Sequence, residues 1–366
     1  MLPPNDHEIE TLEEFDRVAA AGSLRGHRVQ SVDLTTRTPV LLSADTAEAV
    51  FLGCPMEPAA AAHVRSNGAL VFPPVPDVPL DPYRGRLYSP ESLYEGLADG
   101  YPATPDARAY DWFLRTRGRG DIFASMLRGI HDDAVSDAFD ELLDGERVVG
   151  VMGGHAMERG TDAYAGAARL GRALARTGLM VATGGGPGAM EAANLGAYAA
   201  PFDEPMLTDA LDALAKVASF RPSVTDWALA GFDVRDRWPG GGTSVGVPTW
   251  FYGHEPSNVF APHIAKYFAN ATREDGLLAR CDAGVVFLPG AAGTVQEIFD
   301  TTTPNYYESG GAPRPMVLVD HAHWTRTLPA WPLLRALARG RTMASRIALV
   351  DSIDEAPEAL ARLSGA

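Results

Sequence analysis

VVFLPGAAGTVQEIFD, residues 285–300, joins a short apolar run to a glycine loop and the first turns of a helix. Val285, Val286, Phe287 and Leu288 suit a strand covered on both faces, and Pro289-Gly290 ends it abruptly. Thr294 with Glu297 three positions on has the spacing of a capping box, which predicts that the hydroxyl and carboxylate satisfy the amides left free by the first helical turn. Those amides and the helix dipole favour an anion at the mouth of the loop. Gly290 and Gly293 carry no Cβ to hold a phosphate away.

Outward from this stretch, residues 146–366 alternate strand and helix. Val148–Met152 predicts a first strand that leads into Gly153-Gly154-His155, and 179–183 predicts a second that runs into Gly184–Gly188 and a helix from Met190. Further strands are expected at 245–247, 316–320 and 347–351, and a helix over 272–280 with Thr272 and Asp275 as its cap. The fold class is therefore α/β, a Rossmann-like parallel sheet covered by helices. Residues 1–145 predict an additional N-terminal α/β domain, with strands at 28–34, 49–54 and 69–72, a helix at 58–65, and a helical stretch over 107–143. Between them, residues 73–105 are rich in proline and tyrosine and predict ordered irregular chain.

At 366 residues the chain is long enough for two domains, and 46% hydrophobic with 21% charged residues is an ordinary globular composition. A formal charge of -16 excludes nonspecific nucleic-acid binding, which needs clustered Lys and Arg. Lys216 and Lys266 are the only lysines, so chemistry through a Schiff-base lysine has few candidates. The first residues carry no basic segment followed by an apolar one, and no run approaches membrane-spanning length, so a cytoplasmic protein with no membrane partner is expected. Cys54 and Cys281 predict buried thiols rather than a disulfide or a zinc knuckle.

Glu297 has two readings, helix cap or catalytic carboxylate. As a catalytic group it holds a water beside a bound nucleotide or stabilises positive charge developing on a sugar. Arg273 by itself reads as a solvated helix residue, and His155 equally as ligand contact or loop histidine. His254-Glu255 lacks the second histidine of a zinc protease, and Asp320, His321 and His323 read as a polar loop before they read as metal ligands. Trp250–Asn258, dense in aromatic and polar groups, is expected to line the pocket.

With both glycine loops in hand, residues 146–366 resemble the LOG (Lonely Guy) family, formerly labelled lysine decarboxylase. The family motif GGGxGxMEAxNxGA is matched from Gly184 to Ala197, and PGGxGTxxE from Pro289 to Glu297. The family's catalytic arginine stands a short helix upstream of the second motif, where this chain has Arg273 ahead of Asp282. Gly153-Gly154-His155 looks like the pyrimidine/purine nucleotide 5′-monophosphate nucleosidase branch. The resemblance implies hydrolysis of the N-glycosidic bond of a nucleoside 5′-monophosphate to free base and ribose 5-phosphate, with no metal or cofactor, in a homodimer or higher homo-oligomer. Arg273 and Glu297 take the catalytic places. Nucleotide and phosphate binding falls to Gly153, Gly154, His155, Thr183, Gly184, Gly185, Gly186, Gly188, Met190, Glu191, Asn194, Gly290, Gly293 and Thr294. Three departures stand out: Ala291 replaces the second glycine of PGG, Glu274 follows Arg273 where the family usually has lysine, and one extra residue separates Asp282 from Pro289. The first two favour the alternative, a non-catalytic nucleotide-binding or sensing protein on the same fold.

Overall fold

The computed structural model describes residues 7–118, 120–253, 255–308 and 311–365. The chain divides into two compact units, Met1–Leu87 with Leu114–Leu142, and Tyr88–Phe113 with Leu143–Ala366.

In the first unit β1 (Glu8–Ile9), β2 (Arg28–Gln30), β3 (Val50–Leu52) and β4 (Leu70–Phe72) form a parallel sheet in that order. Helices Leu12–Ala19, Thr38–Ser43 and Pro58–Ser66 make the crossovers. Thr11 and Glu14 close a capping box on the first of these. Ile9, Phe15, Val29, Leu41, Phe51 and Val64 are all fully buried and form the core. The helical stretch expected over 107–143 is two helices, Pro105–Thr116 and Ile122–Leu142, broken at Gly118, whose φ of 72° no α-helix continues through.

The second unit adds β5 (Val148–Met152), β6 (Met180–Thr183), β7 (Ser244–Gly246), β8 (His263–Ile264), β9 (Gly284–Phe287), β10 (Met316–Val319) and β11 (Ile347–Val350). They form one parallel sheet in the order β11-β10-β9-β5-β6-β7-β8. The central strands β5, β6, β9 and β10 are buried along their whole length, which is why they read as unbroken apolar runs. From β5 the chain winds outward through β6, β7 and β8, then returns to the other side of β5 as β9. The strand order therefore reverses between β5 and β9, and the crevice beyond the carboxyl ends of these two strands is where such sheets bind ligands.

Two helices over the sheet touch backbone to backbone. A Cβ on Gly171 of helix Asp162–Arg176 would overlap the Ala193 carbonyl, and one on Gly196 of helix Ala189–Tyr198 would overlap the Ala168 carbonyl. Gly196 lies inside the longer glycine motif, so that glycine serves helix packing and not a ligand. Gly196→Ala is expected to destabilise the protein by about 1–3 kcal/mol, the ordinary cost of overpacking a core. A lowered urea midpoint at unchanged slope would register it.

Residues 88–113, expected within the N-terminal domain, pack in the second unit instead. Tyr88 exchanges two backbone hydrogen bonds with Ile264 on the exposed side of β8, at 3.0 and 2.8 Å, and so covers an edge that would otherwise be open. Asp106 then enters the core. Its Oδ1 accepts from Lys266 Nζ at 2.7 Å and Trp250 Nε1 at 2.8 Å, and its Oδ2 from the Tyr101 hydroxyl at 3.0 Å. Among the described residues no helix is long and apolar enough to cross a membrane.

Candidate functional site

Three loops meet at the reversal point. The Gly154 amide after β5 donates to the Pro289 carbonyl after β9 at 3.2 Å, and the Ala189 amide after β6 donates to the Gly154 carbonyl at 3.1 Å. Gly188, whose φ is +74°, has to be glycine, since a Cβ there would stand only 2.6 Å from the Gly154 carbonyl oxygen, whereas a Cβ on Gly154 would make an ordinary contact with Gly290 Cα at 3.4 Å. His323, just beyond β10, donates from Nε2 to the Gly290 carbonyl at 3.0 Å and holds the third loop in place.

Helix Ala292–Tyr307 begins with Ala291 as its N-cap, and no side chain caps it. The capping box expected of Thr294 and Glu297 does not form, because the helix starts earlier and both residues lie inside it. Ala291, Ala292 and Gly293 are exposed, so the first-turn amides face solvent and are open to an anion. Nothing within 4 Å of Gly293 would obstruct a Cβ, so protein packing does not explain that glycine. The cap expected at Thr272 is likewise replaced: helix Asn270–Arg280 starts two residues before it.

Arg273 and Glu297 come together. Arg273 Nη1 lies 3.5 Å from Glu297 Oε1 and 2.5 Å from Glu274 Oε1, and all three side chains are less than a tenth exposed. The guanidinium is fixed from behind, where Nε donates to the Val247 carbonyl at 2.7 Å and Nη2 to the Gly184 carbonyl at 3.5 Å. A side chain on Gly184 would collide with it. Burial pushes the Glu297 carboxyl up from its ordinary 4.5 to about 8, opposed by Arg273 and reinforced by Glu274, Glu255 and Asp300. The Arg273 guanidinium stays fully charged, its burial outweighed by Glu274 and Glu297. Glu255 completes a ring of carboxylates: its Oε1 pairs with His155 Nδ1 at 2.8 Å, and its Oε2 lies 3.3 Å from where a Gly186 Cβ would stand.

Of the residues predicted from sequence, the site gathers Gly153, Gly154, His155, Gly184, Gly186, Gly188, Met190, Gly290, Thr294, Arg273 and Glu297. Three lie elsewhere. Thr183 and Asn194 are fully buried beneath the second loop, where the threonine hydroxyl donates to Asn194 Oδ1 at 2.7 Å and accepts from the Gly185 amide at 3.0 Å. Asn194 also donates to Ser244 at 3.0 Å and accepts from Asn258 at 3.0 Å. Glu191 is 1% exposed and pairs with Arg159 at 2.5 Å. Glu191 also lines, with His155 and Gly188 of the site, a cavity of about 240 Å³ that takes in Phe220, Arg221 and Trp227. Gly185 adopts φ +71°, and a Cβ there would stand 2.6 Å from Pro248 and 2.8 Å from the Val247 amide, so the position requires glycine.

The aromatic stretch 250–258 divides: Trp250 stacks on Phe268 at 4.6 Å and Ser257 and Asn258 are fully buried, whereas Phe251 and Tyr252 are exposed and Glu255 faces His155; His254 lies outside the described residues. Sequence reasoning has Glu255 only within the pocket-lining stretch 250–258 and His323 only as a polar-loop residue. His323 carries a sequence signal, a histidine shortly after a predicted buried strand; the part of Glu255 depends on a distant loop. Cys54 and Cys281 are buried free thiols, pushed up by burial to about 11 and about 12, and are poor nucleophiles.

Residues 146–201, from β5 to the end of the helix after β6, match the family model described as SLOG cluster4. That segment is similar to the SLOG family. Several solved structures are similar to part of the chain. The molybdenum cofactor binding protein from the phototrophic bacterium Rippkaea orientalis is 17% identical, over 58% of this chain and 94% of that one, at a TM-score of 0.35. The Moco carrier protein from Chlamydomonas reinhardtii is 18% identical, over 60% and 98%, at 0.33. A structural-genomics target, TM1055, is 18% identical, over 58% and 96%, at 0.35. No curated protein matches the chain.

Proposed function

We propose that the second unit is a phosphoribohydrolase that hydrolyses the N-glycosidic bond of a nucleoside 5′-monophosphate in the cytoplasm. The observation that carries this is the meeting of Arg273 and Glu297, 3.5 Å apart and buried, beside loops whose amides are open to an anion. The phosphate takes the exposed amides of residues 291–293 at the helix N-terminus. Arg273, held by two backbone carbonyls, orients the nucleotide. Ionised Glu297 stabilises the oxocarbenium-like sugar and takes a proton from the attacking water. The water oxygen bonds C1′ while the C1′–N bond breaks, and the departing base keeps the electron pair and is protonated by solvent. The residues named need no metal or cofactor for these steps. The same reading carries a homodimer or higher homo-oligomer, for which exposed Ile122, Phe123 and Met126 offer apolar surface, and light scattering tests it.

Base release from a panel of nucleoside 5′-monophosphates, followed by chromatography, tests the activity and names the substrate. The pH profile is a further check. Glu297 must lose its proton to act, so kcat/KM is expected to rise with pH to a plateau above about 8. A limb that falls over that range would instead make Glu297 a proton donor. A second reading, a non-catalytic nucleotide sensor, is favoured by Ala291 at the helix cap and by the carboxylates around Arg273. Binding on thermal shift without base release from any nucleotide would select it.

A further inference from the structure

Glu274 has no part in the steps above, yet it is built into the site. Its side chain is 5% exposed, and Oε1 lies 2.5 Å from the Arg273 nitrogen that also faces Glu297. The second oxygen, Oε2, is buried and accepts no hydrogen bond from any described residue. A buried carboxylate oxygen without a donor is costly and needs an explanation. Neither lysine supplies the donor: Lys266 is committed to Asp106 and Ser257, and Lys216 is exposed in the turn after helix Glu204–Leu214. An anion is the wrong ligand, since Glu255, Glu274 and Glu297 already surround one arginine. The missing partner is therefore a small neutral donor, delivered to the point where Glu297 acts.

We infer that Glu274 accepts a hydrogen bond from a hydroxyl of the ribose cis-diol and so restricts the site to ribonucleotides. This rests on the nucleotide reading above. With the phosphate on the helix amides and Glu297 against C1′, the carboxylate sharing its guanidinium nitrogen reaches the sugar, not the base or the phosphate. A ribose hydroxyl supplies one O–H donor with no charge to desolvate. A sugar lacking it leaves the buried oxygen unpaired in the complex, and sites of that kind reject such analogues strongly.

The test compares kcat/KM for one nucleoside 5′-monophosphate with its 2′-deoxy and 3′-deoxy analogues, in wild type and in Glu274→Met. Thermal shift with ribose 5-phosphate and 2-deoxyribose 5-phosphate accompanies it. Wild type is expected to prefer the ribonucleotide over at least one deoxy analogue by about 100-fold or more. In Glu274→Met the preference falls to a few-fold, whereas damage to the fold alone would lower all substrates together. Equal handling of ribo and deoxy forms by an active wild type, or a preference retained in Glu274→Met, overturns this inference and leaves the hydrolase reading standing. Should the methionine variant not fold, the wild-type ratio decides by itself. Failure of every nucleotide and of ribose 5-phosphate to react or bind overturns both.

Discussion

Glu297→Gln lowers kcat by about 10³-fold and at the same time makes the protein more stable at pH 8. The two effects share one cause. A carboxyl raised to about 8 keeps its proton in the folded protein across the range from about 4.5 to 8, while the unfolded chain releases it. Folding stability therefore falls as pH rises through that window and levels off above it. Glutamine has no proton to lose, so its advantage is absent at pH 4, grows through the window, and reaches the order of a few kcal/mol above pH 8. Arg273 keeps its shorter pair with Glu274 in the variant, so its charge is not stranded. Thermal melts from pH 4 to 9 beside single-turnover rates would show both. A variant that is inactive and also less stable at pH 8 would mean that Glu297 is ionised at rest and holds Arg273 as a structural partner.

Lys266→Met carries the largest expected loss of stability, about 3–5 kcal/mol. Lys266 is 2% exposed and Asp106 wholly buried, and the lysine donates to Asp106 at 2.7 Å and to the Ser257 hydroxyl at 2.9 Å. Removing the cation leaves a carboxylate in the core with only Trp250 and Tyr101 as neutral donors. Replacing both partners, as in Lys266→Met with Asp106→Leu, is expected to recover much of the loss, because no charge then remains buried. Denaturant titration of the two single variants and the double gives the coupling directly. A single variant within 1 kcal/mol of wild type would sink this account.

The sheet was legible because buried parallel strands appear as short apolar runs stopped by glycine or proline, as Val148–Met152 and Val285–Leu288 do. Both glycine loops followed from those stops. The helix starts were less legible: Thr294 and Thr272 have cap-like spacing, yet the helices begin before them, and at Ala291 no side chain caps the amides. Thr183 and Asn194 belong to the motif but serve its scaffold, a distinction that spacing does not carry. His323 follows a buried strand, but its bond to the Gly290 carbonyl, like that of Asp106 to Lys266, joins segments that only the fold brings together.

The tie between Asp106 and Lys266 bears on how this unit can be inherited. The chain enters the second unit at Tyr88, leaves it after Phe113 and returns at Leu143, so no contiguous piece of gene encodes it. A fragment opening just before Val148 carries every strand of the large sheet but lacks the counter-ion of its buried lysine and the chain that screens β8. Shuffling such a module between proteins requires compensation at Lys266, so a stand-alone relative of this sheet should have an apolar residue there or a carboxylate from another source.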